Sequence, residues 1–428
     1  MNTRLMRYVL LLAIVTLPLA LFAQVTGQIT GTVRDNTGAV VSGAKVTIHD
    51  TAKGVDRTTT SNSDGEYLVS GLPVGTYDVS VAAPGFKTYN AKALKLDIGQ
   101  KARVDVEMAV GAVNTEVVVQ GADVAQVETQ SSDLSGVVSG KQITQLELNG
   151  RNFTQLVTLV PGVSNQTGQD EGQVGIAGNV SFSVNGGRTE YNNWELDGGD
   201  NMDNGSNNTL NVYPSLEAIS EFRVLTSNYG AQYGRNGSGT VEVETKSGTN
   251  QFHGNVFEFV RNDAFNARPY FQNSVPPYKK NDFGYTIGGP VFIPNLYNTD
   301  KKKTFFFWSQ DWRRNRVPRD FNALVPSVAE RAGDFSAICS DPADVDPDTG
   351  QSKHCPRING VLTPNIATLP AFQQSQAVSQ ALLTLIPLPT NITAEGSKFI
   401  AAVSEPENWR EELIRVDHNF TDNMRLTF

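Results

Sequence analysis

The stretch DFGYTI, residues 282–287, alternates apolar and polar side chains without a break. Its aromatic and aliphatic residues fall on one face of an extended chain, and Asp282, Gly284 and Thr286 fall on the other, because successive side chains of a β-strand point to opposite sides. An apolar face toward lipid and a polar face toward the interior is the pattern of a transmembrane β-barrel strand. This stretch therefore predicts membrane-spanning strands.

Similar segments recur throughout the chain after residue 250. They predict strands at residues 252–261, 282–291, 303–313, 408–420 and from 424 onward. The long polar connections at 263–280 and 317–407 are expected at the outer rim, and the short turn at 419–423 at the periplasmic rim. By this count Lys301, Lys302 and Lys303 face the periplasm, where they meet lipid headgroups or simply keep a turn soluble.

Composition excludes several classes of function. The 428 residues carry 44 acidic and 35 basic side chains, a net charge of -9, which disfavours nucleic-acid binding. Glycine is abundant, with 38 residues, and this favours turns and strands. The sequence has no G-x-S-x-G, H-E-x-x-H or P-loop motif, so we expect neither catalysis nor a cofactor.

The amino terminus has the layout of an export signal. An apolar segment from Tyr8 to Ala23 follows Arg4 and Arg7 and precedes polar Gln24. This predicts a signal peptide at residues 1–23, cleaved after Ala23, with a retained membrane anchor as the alternative. Either reading implies export from the cytoplasm.

Residues 24–111 read as a small β-sandwich, because short alternating runs are separated by turn residues. GTV at 31–33, GAKV at 43–46, TSNSDGEY at 60–67, LPVGTY at 72–77 and PGF at 84–86 resemble the carboxypeptidase regulatory-like domain. That family implies a transthyretin-like fold, which is often grouped with carbohydrate-binding-like sandwiches. Glycan binding is implied only by analogy of fold.

Residues 112–250 mix a helical pattern with short strands. A broken amphipathic helix is predicted from about residue 142 to residue 160, ended by Pro161 and Gly162. VNGGR at 184–188, WELDG at 194–198, ISEFRV at 219–224, GTVEV at 239–243 and TKSGTN at 245–250 then follow in order. Together they resemble the plug domain of TonB-dependent outer-membrane receptors, and the sandwich in front makes the chain most similar to their Oar-like branch.

The resemblance implies a mainly β chain in four parts: a signal peptide (1–23), the β-sandwich (24–111), a mixed α/β plug (112–250) and the start of an antiparallel transmembrane β-barrel (251–428). It implies a receptor in the outer membrane, with its amino-terminal domain in the periplasm. Such a receptor binds an extracellular glycan, peptide or chelate, contacts lipid, and imports the ligand with TonB-coupled energy. The alternatives are a surface adhesion or carbohydrate-binding protein anchored in the outer membrane, and an exported hydrolase.

Receptors of this family offer TonB an extended segment, which pairs by strand addition. The β-branched run after the sandwich is the candidate for that segment: Thr115, Glu116, Val117, Val118 and Val119. The same run is equally consistent with the last strand of the sandwich or with a linker strand.

Ligand contacts are expected from outer loops of the plug and from long barrel loops. One plug segment combines aromatic faces with amides, which suit sugar or peptide ligands: Tyr191, Asn192, Asn193, Trp194, Asp200, Asn201 and Asn204. Asparagine that caps turns is the alternative for each amide.

A cysteine pair brackets an acidic loop. Cys339 and Cys355 are predicted to form a disulfide, because exported proteins enter an oxidising compartment. Inside the loop Asp344, Asp346 and Asp348, preceded by Asp341, alternate as calcium ligands do, but the spacing departs from that of an EF-hand. A solvated acidic loop without metal is therefore the main reading, and calcium is the alternative.

The resemblance also bears on chain length. Transporters of this kind close 22 strands of roughly 9 to 11 residues each, which needs more than about 200 residues. Only 178 residues follow Asn250 in this 428-residue chain. We therefore expect about four strands and the start of a fifth, the front part of a larger transporter, with Met424, Leu426 and Phe428 imitating a last strand by coincidence.

Overall fold

The computed structural model describes residues 25–111, 116–120, 129–167, 179–268, 270, 274–393, 396–422 and 424–428. The predicted signal peptide lies outside these ranges. Most of their regular structure is β-strand, so the prediction of a mainly β chain is confirmed. None of the helices found in these ranges is long and apolar enough to cross a membrane.

The chain divides into two compact units. The first comprises Met1–Phe257, Gly284–Asp311 and Arg410–Phe428, and the second comprises Glu258–Phe283 and Trp312–Trp409. The sandwich and the plug both belong to the first unit.

The amino-terminal domain is a two-sheet sandwich. Its strands are β1 (Gly27–Asp35), β2 (Lys45–Asp50), β3 (Val55–Thr60), β4 (Glu66–Leu72), β5 (Gly75–Ala82), β6 (Thr88–Leu96), β7 (Lys101–Arg103), β8 (Val106–Met108) and β9 (Glu116–Gln120). One sheet has the order β4-β1-β7, with β8 also paired to β1, and the other has the order β3-β2-β5-β6-β9. The alternating residues of both sheets meet in one apolar core that includes Ile29, Val46 and Val79, each fully buried. The predicted sandwich is confirmed.

Close backbone packing fixes β1 in that core. A Cβ atom on Gly31 would lie 1.8 Å from the carbonyl oxygen of Val104, so only glycine fits there. The hydroxyl of the buried Tyr67 donates a 2.7 Å hydrogen bond to the same carbonyl. The strand and the segment before β8 are therefore held together at contact distance.

The plug is built on a mixed sheet. Its elements are β10 (Leu134–Ser139), α1 (Gly140–Gln145), β11 (Val163–Asn165), β12 (Phe182–Val184), β13 (Asn193–Leu196), β14 (Gly199–Asp200), β15 (Ile219–Ser227) and β16 (Thr240–Thr245). The five-stranded sheet has the order β10-β15-β16-β13-β14, and β13 runs parallel to β16. Asp197 and Gly198 both have positive φ and form the hairpin turn between β13 and β14.

The predicted amphipathic helix of the plug is only partly correct. The chain forms α1, which begins with a capping box between Ser139 and Gln142. Two 3-10 helices follow, at Asn149–Arg151 and Phe153–Leu159. Gly150 has φ 67°, which a continuous α-helix does not allow, and the Asn152 side chain caps the second turn. The apolar spacing that suggested a broken amphipathic helix buries Phe153 and Val157 in the plug core.

The residues after the plug form the barrel strands and one looped lobe. In chain order the elements are β17 (His253–Asn262), β18 (Lys279–Pro290), β19 (Thr304–Leu324), α2 (Val328–Arg331), α3 (Ser336–Cys339), β20 (Arg357–Ile358), β21 (Val361–Leu362), α4 (Pro370–Leu383), β22 (Asn391–Thr393), β23 (Gly396–Thr421) and β24 (Met424–Thr427). The sheet order is β17-β18-β19-β23-β22, with β24 paired to β23.

The alternation predicted in β18 is present. Asp282, Gly284 and Thr286 are buried, whereas Phe283, Tyr285 and Ile287 are more exposed. Two strands are much longer than expected, since β19 has 21 residues and β23 has 26. The predicted connection at 317–407 is shorter for that reason, and its two ends belong to strands.

In the second unit the lobe between β19 and β22 is tied together by side chains. The Arg331 guanidinium donates hydrogen bonds of 2.9 and 3.1 Å to the carbonyls of Leu383 and Ile386, at the end of α4. A cation at a helix carboxyl terminus satisfies carbonyls that have no partner within the helix. Arg331 therefore ties α2 to the end of α4.

We expect Gly31→Ala to destabilise the sandwich by at least about 2 kcal/mol, because the added methyl group overlaps the Val104 carbonyl. The matched change Gly75→Ala in β5 places its methyl group 3.6 Å from the Tyr77 ring, an ordinary contact, and should cost less than about 1 kcal/mol. Amide hydrogen exchange in β2 and β5 measures both. Equal protection in the two variants would contradict the packing described here.

Candidate functional site

Buried charges join the end of the plug sheet to barrel strand β23. The Arg415 side chain is almost fully buried, and its Nη1 atom donates a 2.8 Å hydrogen bond to Glu244 in β16. The same nitrogen donates to the carbonyl oxygen of Thr245 at 2.9 Å and lies 3.2 Å from a carboxylate oxygen of Asp197. One guanidinium thus contacts both the turn that contains Asp197 and the end of strand β16.

Asp417 extends this cluster by two residues along β23. Its carboxylate lies 3.4 Å from Arg415 Nε and 2.6 Å from Arg425 Nη2. It also accepts a 2.6 Å hydrogen bond from the Ser247 hydroxyl, just after β16. The ammonium of Lys53, from the sandwich, lies 3.8 Å away. Side chains of the sandwich, plug and barrel therefore share one buried group.

The turn of the plug is shaped to present Asp197 to this cluster. Asp197 accepts hydrogen bonds from the backbone N–H of Thr245 at 2.8 Å and from its hydroxyl at 2.7 Å. Its φ of 49° is tolerated because aspartate adopts the left-handed region more readily than most residues. The arrangement consists of matched opposite charges, which hold segments together and do not by themselves perform catalysis.

Two carboxylates of the plug sheet are perturbed by burial. Glu242 is fully buried on β16, and burial raises its pKa to about 7. Burial, with a contribution from Asp97, also raises the pKa of Glu221 on β15 to about 7. Arg223 stands between them in sequence, is 2% exposed, and lies opposite Glu242 in the strand pairing.

The predicted ligand residues fall into two groups. Four of them are buried in the plug: Asn192, Asn193, Trp194 and Asn201. Asn192 uses both ends of its amide, since it donates to the Phe182 carbonyl and accepts from the Gly239 N–H. Trp194 packs against the rings of Phe153 and Phe182 at 6.2 and 5.9 Å between centroids. These side chains support the plug and do not face a ligand in this structure.

The other three predicted ligand residues, Tyr191, Asp200 and Asn204, are exposed. Arg235, which the sequence reasoning missed, joins two of them through an ion pair with Asp200 and a 3.4 Å hydrogen bond to Asn204. Arg188 lies over the Tyr191 ring, 5.9 Å from its centroid. The accessible side chains of this segment thus form two groups, Arg188 over the Tyr191 ring and Arg235 with Asp200 and Asn204.

A cavity of about 290 Å³ lies at the same loop-bearing part of the plug. It is lined by Asn185, Ser227, Asn228, Tyr229 and Ser238, among others. The Tyr229 hydroxyl donates to the Ser238 carbonyl at 2.7 Å, which fixes one wall. Asn185 and Asn228 were missed as lining residues, although both stand at turns with positive φ, a position that asparagine favours.

The predicted TonB-contact segment is a strand of the sandwich in this structure. Thr115 lies outside the described residues, and Glu116–Gln120 forms β9, which pairs parallel with β6. β9 is the last strand in the order of its sheet. Val118 is about half exposed, and Val119 packs partly against the sandwich core.

Cys339 and Cys355 are joined in a disulfide. In the enclosed loop, the carboxylate of Asp344 accepts hydrogen bonds from the Ser352 hydroxyl and from the backbone N–H of His354. Asp346 accepts from the backbone N–H groups of Asp348 and Thr349. Among the residues that the structure describes, no group of three acidic, histidine or cysteine side chains is placed to hold a metal ion, so the calcium alternative gains no support.

Family models match three successive parts of the chain. They are the carboxypeptidase regulatory-like domain at residues 28–109, the TonB-dependent receptor plug domain at 126–241 and the outer membrane beta barrel domain at 244–428. The chain has the domain composition of a TonB-dependent outer-membrane receptor. The receptor lies in the outer membrane, with its amino-terminal domain in the periplasm.

Individual relatives agree with this assignment. The TonB-dependent transporter Oar of Myxococcus xanthus is 26% identical over 288 residues, which are 63% of this chain and 25% of the relative. The receptor chain therefore spans about a quarter of the length of the curated relative that it matches. The name of this relative describes transport and not catalysis.

Two solved structures are similar to parts of the receptor. The siderophore receptor PirA from Acinetobacter baumannii is 19% identical, with 43% of this chain and 25% of that chain covered and a TM-score of 0.32. The outer membrane transporter YddB from Escherichia coli is 11% identical, with 67% of this chain and 31% of that chain covered and a TM-score of 0.39.

In the receptor we expect Arg415→Met to destabilise the plug by on the order of 3 kcal/mol, because the change leaves Glu244 and Asp417 buried without the guanidinium between them. Arg410→Met is the matched control on the same strand, since Arg410 is exposed and forms a surface ion pair with Glu412. Amide exchange in β16 reports the difference. Equal amide protection of β16 in the two variants would show that the charge cluster has no structural role.

The raised pKa of Glu242 predicts a pH dependence of plug stability. The folded plug keeps a proton on Glu242 that the unfolded chain releases above its ordinary pKa of 4.5. The resulting stability is complete below about pH 4.5 and is lost as the pH rises through about 7, by up to roughly 3 kcal/mol.

Glu242→Gln should remove the part of the pH dependence that comes from residue 242 and leave the part that comes from Glu221, whereas Glu147→Gln, at an exposed position of the plug, should leave both parts unchanged. The free energy of opening of β16, obtained from amide exchange at pH 5 and pH 8, tests the prediction. An unchanged slope in Glu242→Gln would show that another group titrates.

Proposed function

We propose that the receptor binds an extracellular ligand and imports it into the periplasm, using energy that TonB delivers from the periplasmic side. The observation that carries this proposal is the buried charge cluster around Arg415, which fastens the plug to a barrel strand. Passage of a ligand then requires a folded domain to shift. A simple diffusion pore does not need a folded domain attached inside it, because its solutes pass without any domain movement.

The energy needed supports coupling to an external source. Separating one partner from a buried ion pair costs about 3–5 kcal/mol, because a charge is left without its partner in a low-dielectric site. Thermal fluctuation alone therefore opens the contact rarely. A pull applied to the plug, or to a segment that precedes it in the chain, supplies the energy needed to separate the ion pair.

β9 is the segment on which such a pull acts in this proposal. It lies in the chain directly before the plug and at the end of the sheet order β3-β2-β5-β6-β9. A strand at a sheet edge carries backbone groups that an incoming strand can pair with, which is how strand addition works. The segment therefore serves both as the last strand of the sandwich and as the docking strand for TonB.

The chemistry of the exposed plug surface suggests the class of ligand. Tyr191 offers an aromatic face, Asn204 offers an amide, and Asp200 with Arg235 offers paired charges. Sugars and peptides are bound by such combinations of aromatic and polar groups. We propose that a glycan, a peptide or a chelate with polar groups binds here, next to the cavity lined by Asn228 and Tyr229.

Uptake with and without a working TonB system tests the function. Candidate labelled ligands are first chosen by their binding to cells that carry the receptor, and their arrival in the periplasm is then measured. Transport predicts that binding survives the loss of TonB and that arrival stops. Binding that persists with arrival independent of TonB would favour a surface adhesion or carbohydrate-binding protein.

Val118→Pro tests the role of β9. Proline removes a backbone donor from the strand, so strand addition should fail and uptake should fall at least about tenfold while ligand binding is retained. Val118→Thr is the matched control, because threonine keeps the donor and the β-branched shape. Uptake that is normal in Val118→Pro, with the protein at wild-type level in the membrane, would place the TonB contact elsewhere.

A further inference from the structure

A turn of the sandwich is seated on the plug sheet. The backbone N–H of Ile98 donates a hydrogen bond to the Glu221 carboxylate, and the carbonyl of Gly99 accepts a 3.0 Å hydrogen bond from Arg223 Nη1. Ile98 is 1% exposed, and both plug side chains are buried as well. The contact therefore takes two charged side chains of the plug out of water and satisfies them with sandwich backbone.

A second contact lies at the loop between β2 and β3. The Asn250 N–H, at the end of the plug, donates a 3.0 Å hydrogen bond to the Ala52 carbonyl. The neighbouring Lys53 extends its ammonium to 3.8 Å from Asp417 and lies 5.4 Å from the centroid of the Phe305 ring. A lysine of the sandwich thus reaches the cluster that holds the plug to β23.

Lys53 also balances that cluster. Without it, the connected charges are those of Arg415 and Arg425 against those of Asp197, Glu244 and Asp417, two positive and three negative. With Lys53 the count is three against three. Buried charges are tolerated when each has a partner, so the docked sandwich completes a site that is otherwise one positive charge short.

The two contacts do not merge into one continuous core. A cavity of about 170 Å³ has a wall that includes Pro73 and Gly75 of the sandwich and Ser220 and Lys246 of the plug. The apolar core of the sandwich and that of the plug are separate clusters. The interface consists of polar and charged contacts, which water can replace when the two domains part.

We propose that the sandwich is a periplasmic clamp on the plug: docked through Gly99 and Lys53 it stabilises the seated plug, and it must undock before the plug can move. β9 is itself paired with β6 of the sandwich, so a pull on that strand acts first on the sandwich. This role in transport rests on the function proposed above. The docking itself does not.

The docking is tested by Gly99→Asn in the full-length receptor. A Cβ atom at residue 99 would lie 2.8 Å from Arg223 Nη1, so the larger side chain displaces that guanidinium and disrupts its hydrogen bond to the carbonyl of residue 99. Asparagine tolerates the positive φ of 63° at this position. Gly43→Asn is the matched control, because residue 43 has φ 68° and a Cβ there meets nothing within 4 Å.

We expect amide exchange in β15 and β16 to become at least tenfold faster in Gly99→Asn and in Lys53→Met, with exchange in β2 and β5 unchanged, and no such effect in Gly43→Asn. Unchanged protection in β2 and β5 shows that the sandwich is still folded. Plug exchange equal to that of the wild type in both variants would overturn the clamp. This readout does not require transport.

The role in transport is tested by locking the clamp. Cysteines introduced as Ala52→Cys and Asn250→Cys stand on either side of the backbone hydrogen bond and are joined with a short thiol cross-linker, since both native cysteines are already in a disulfide. Ligand should still bind, uptake should stop, and each single-cysteine variant treated in the same way should transport normally. Transport by the cross-linked receptor would overturn the clamp, whereas a wild type without TonB-dependent uptake would overturn the proposed function and leave the exchange result standing.

Discussion

The guanidinium of Arg415 is permanently charged and buried, so the surrounding structure must provide carboxylates that pair with it. Glu244, Asp197 and Asp417 do so from the plug strand, the plug turn and the barrel strand. Two of these carboxylates also accept hydrogen bonds from hydroxyl groups, Asp197 from Thr245 and Asp417 from Ser247. The last residues of the plug are therefore fixed in position by the charge on β23.

This constraint relates local sequence to transport. The LDG turn at 196–198 sets the direction of Asp197, and the alternation of β23 puts Arg415 and Asp417 on the same face of the strand. A plug held by charges is stable at rest and separates into hydrated groups when it is displaced. An apolar plug interface would instead expose surface that water does not stabilise. The first arrangement suits the proposed function, in which the plug moves repeatedly.

Much of the fold was predictable because its signals are local. The alternation in residues 282–287, the turn at Asp197 and Gly198, and the short strands of the sandwich depend on neighbours in sequence, and all were found in the structure. The broken helix predicted at 142–160 is interrupted at Gly150, but the part after the break is 3-10 helix, which the apolar spacing does not distinguish from α-helix. The lengths of β19 and β23 were underestimated because their polar residues resemble loops.

The candidate site was harder to predict, since its partners are far apart in the chain. Arg415 and Glu244 are separated by 171 residues, and Arg223 and Gly99 by 124, so no periodicity connects them. Among the proposed ligand residues, Asn192 and Trp194 carry the right chemistry, but they are buried in the plug. Residue type alone does not distinguish an amide that binds a ligand from one that supports a turn.

A double-mutant cycle between Arg415 and Glu244 tests the central claim most directly. Arg415→Met, Glu244→Gln and the combined variant are compared by the free energy of opening of β16, measured by amide exchange in the membrane-embedded receptor. If the two side chains hold the plug through each other, the combined variant is clearly more stable than the sum of the single losses predicts. Losses that add within about 0.5 kcal/mol would show that the two residues act independently and would contradict the account.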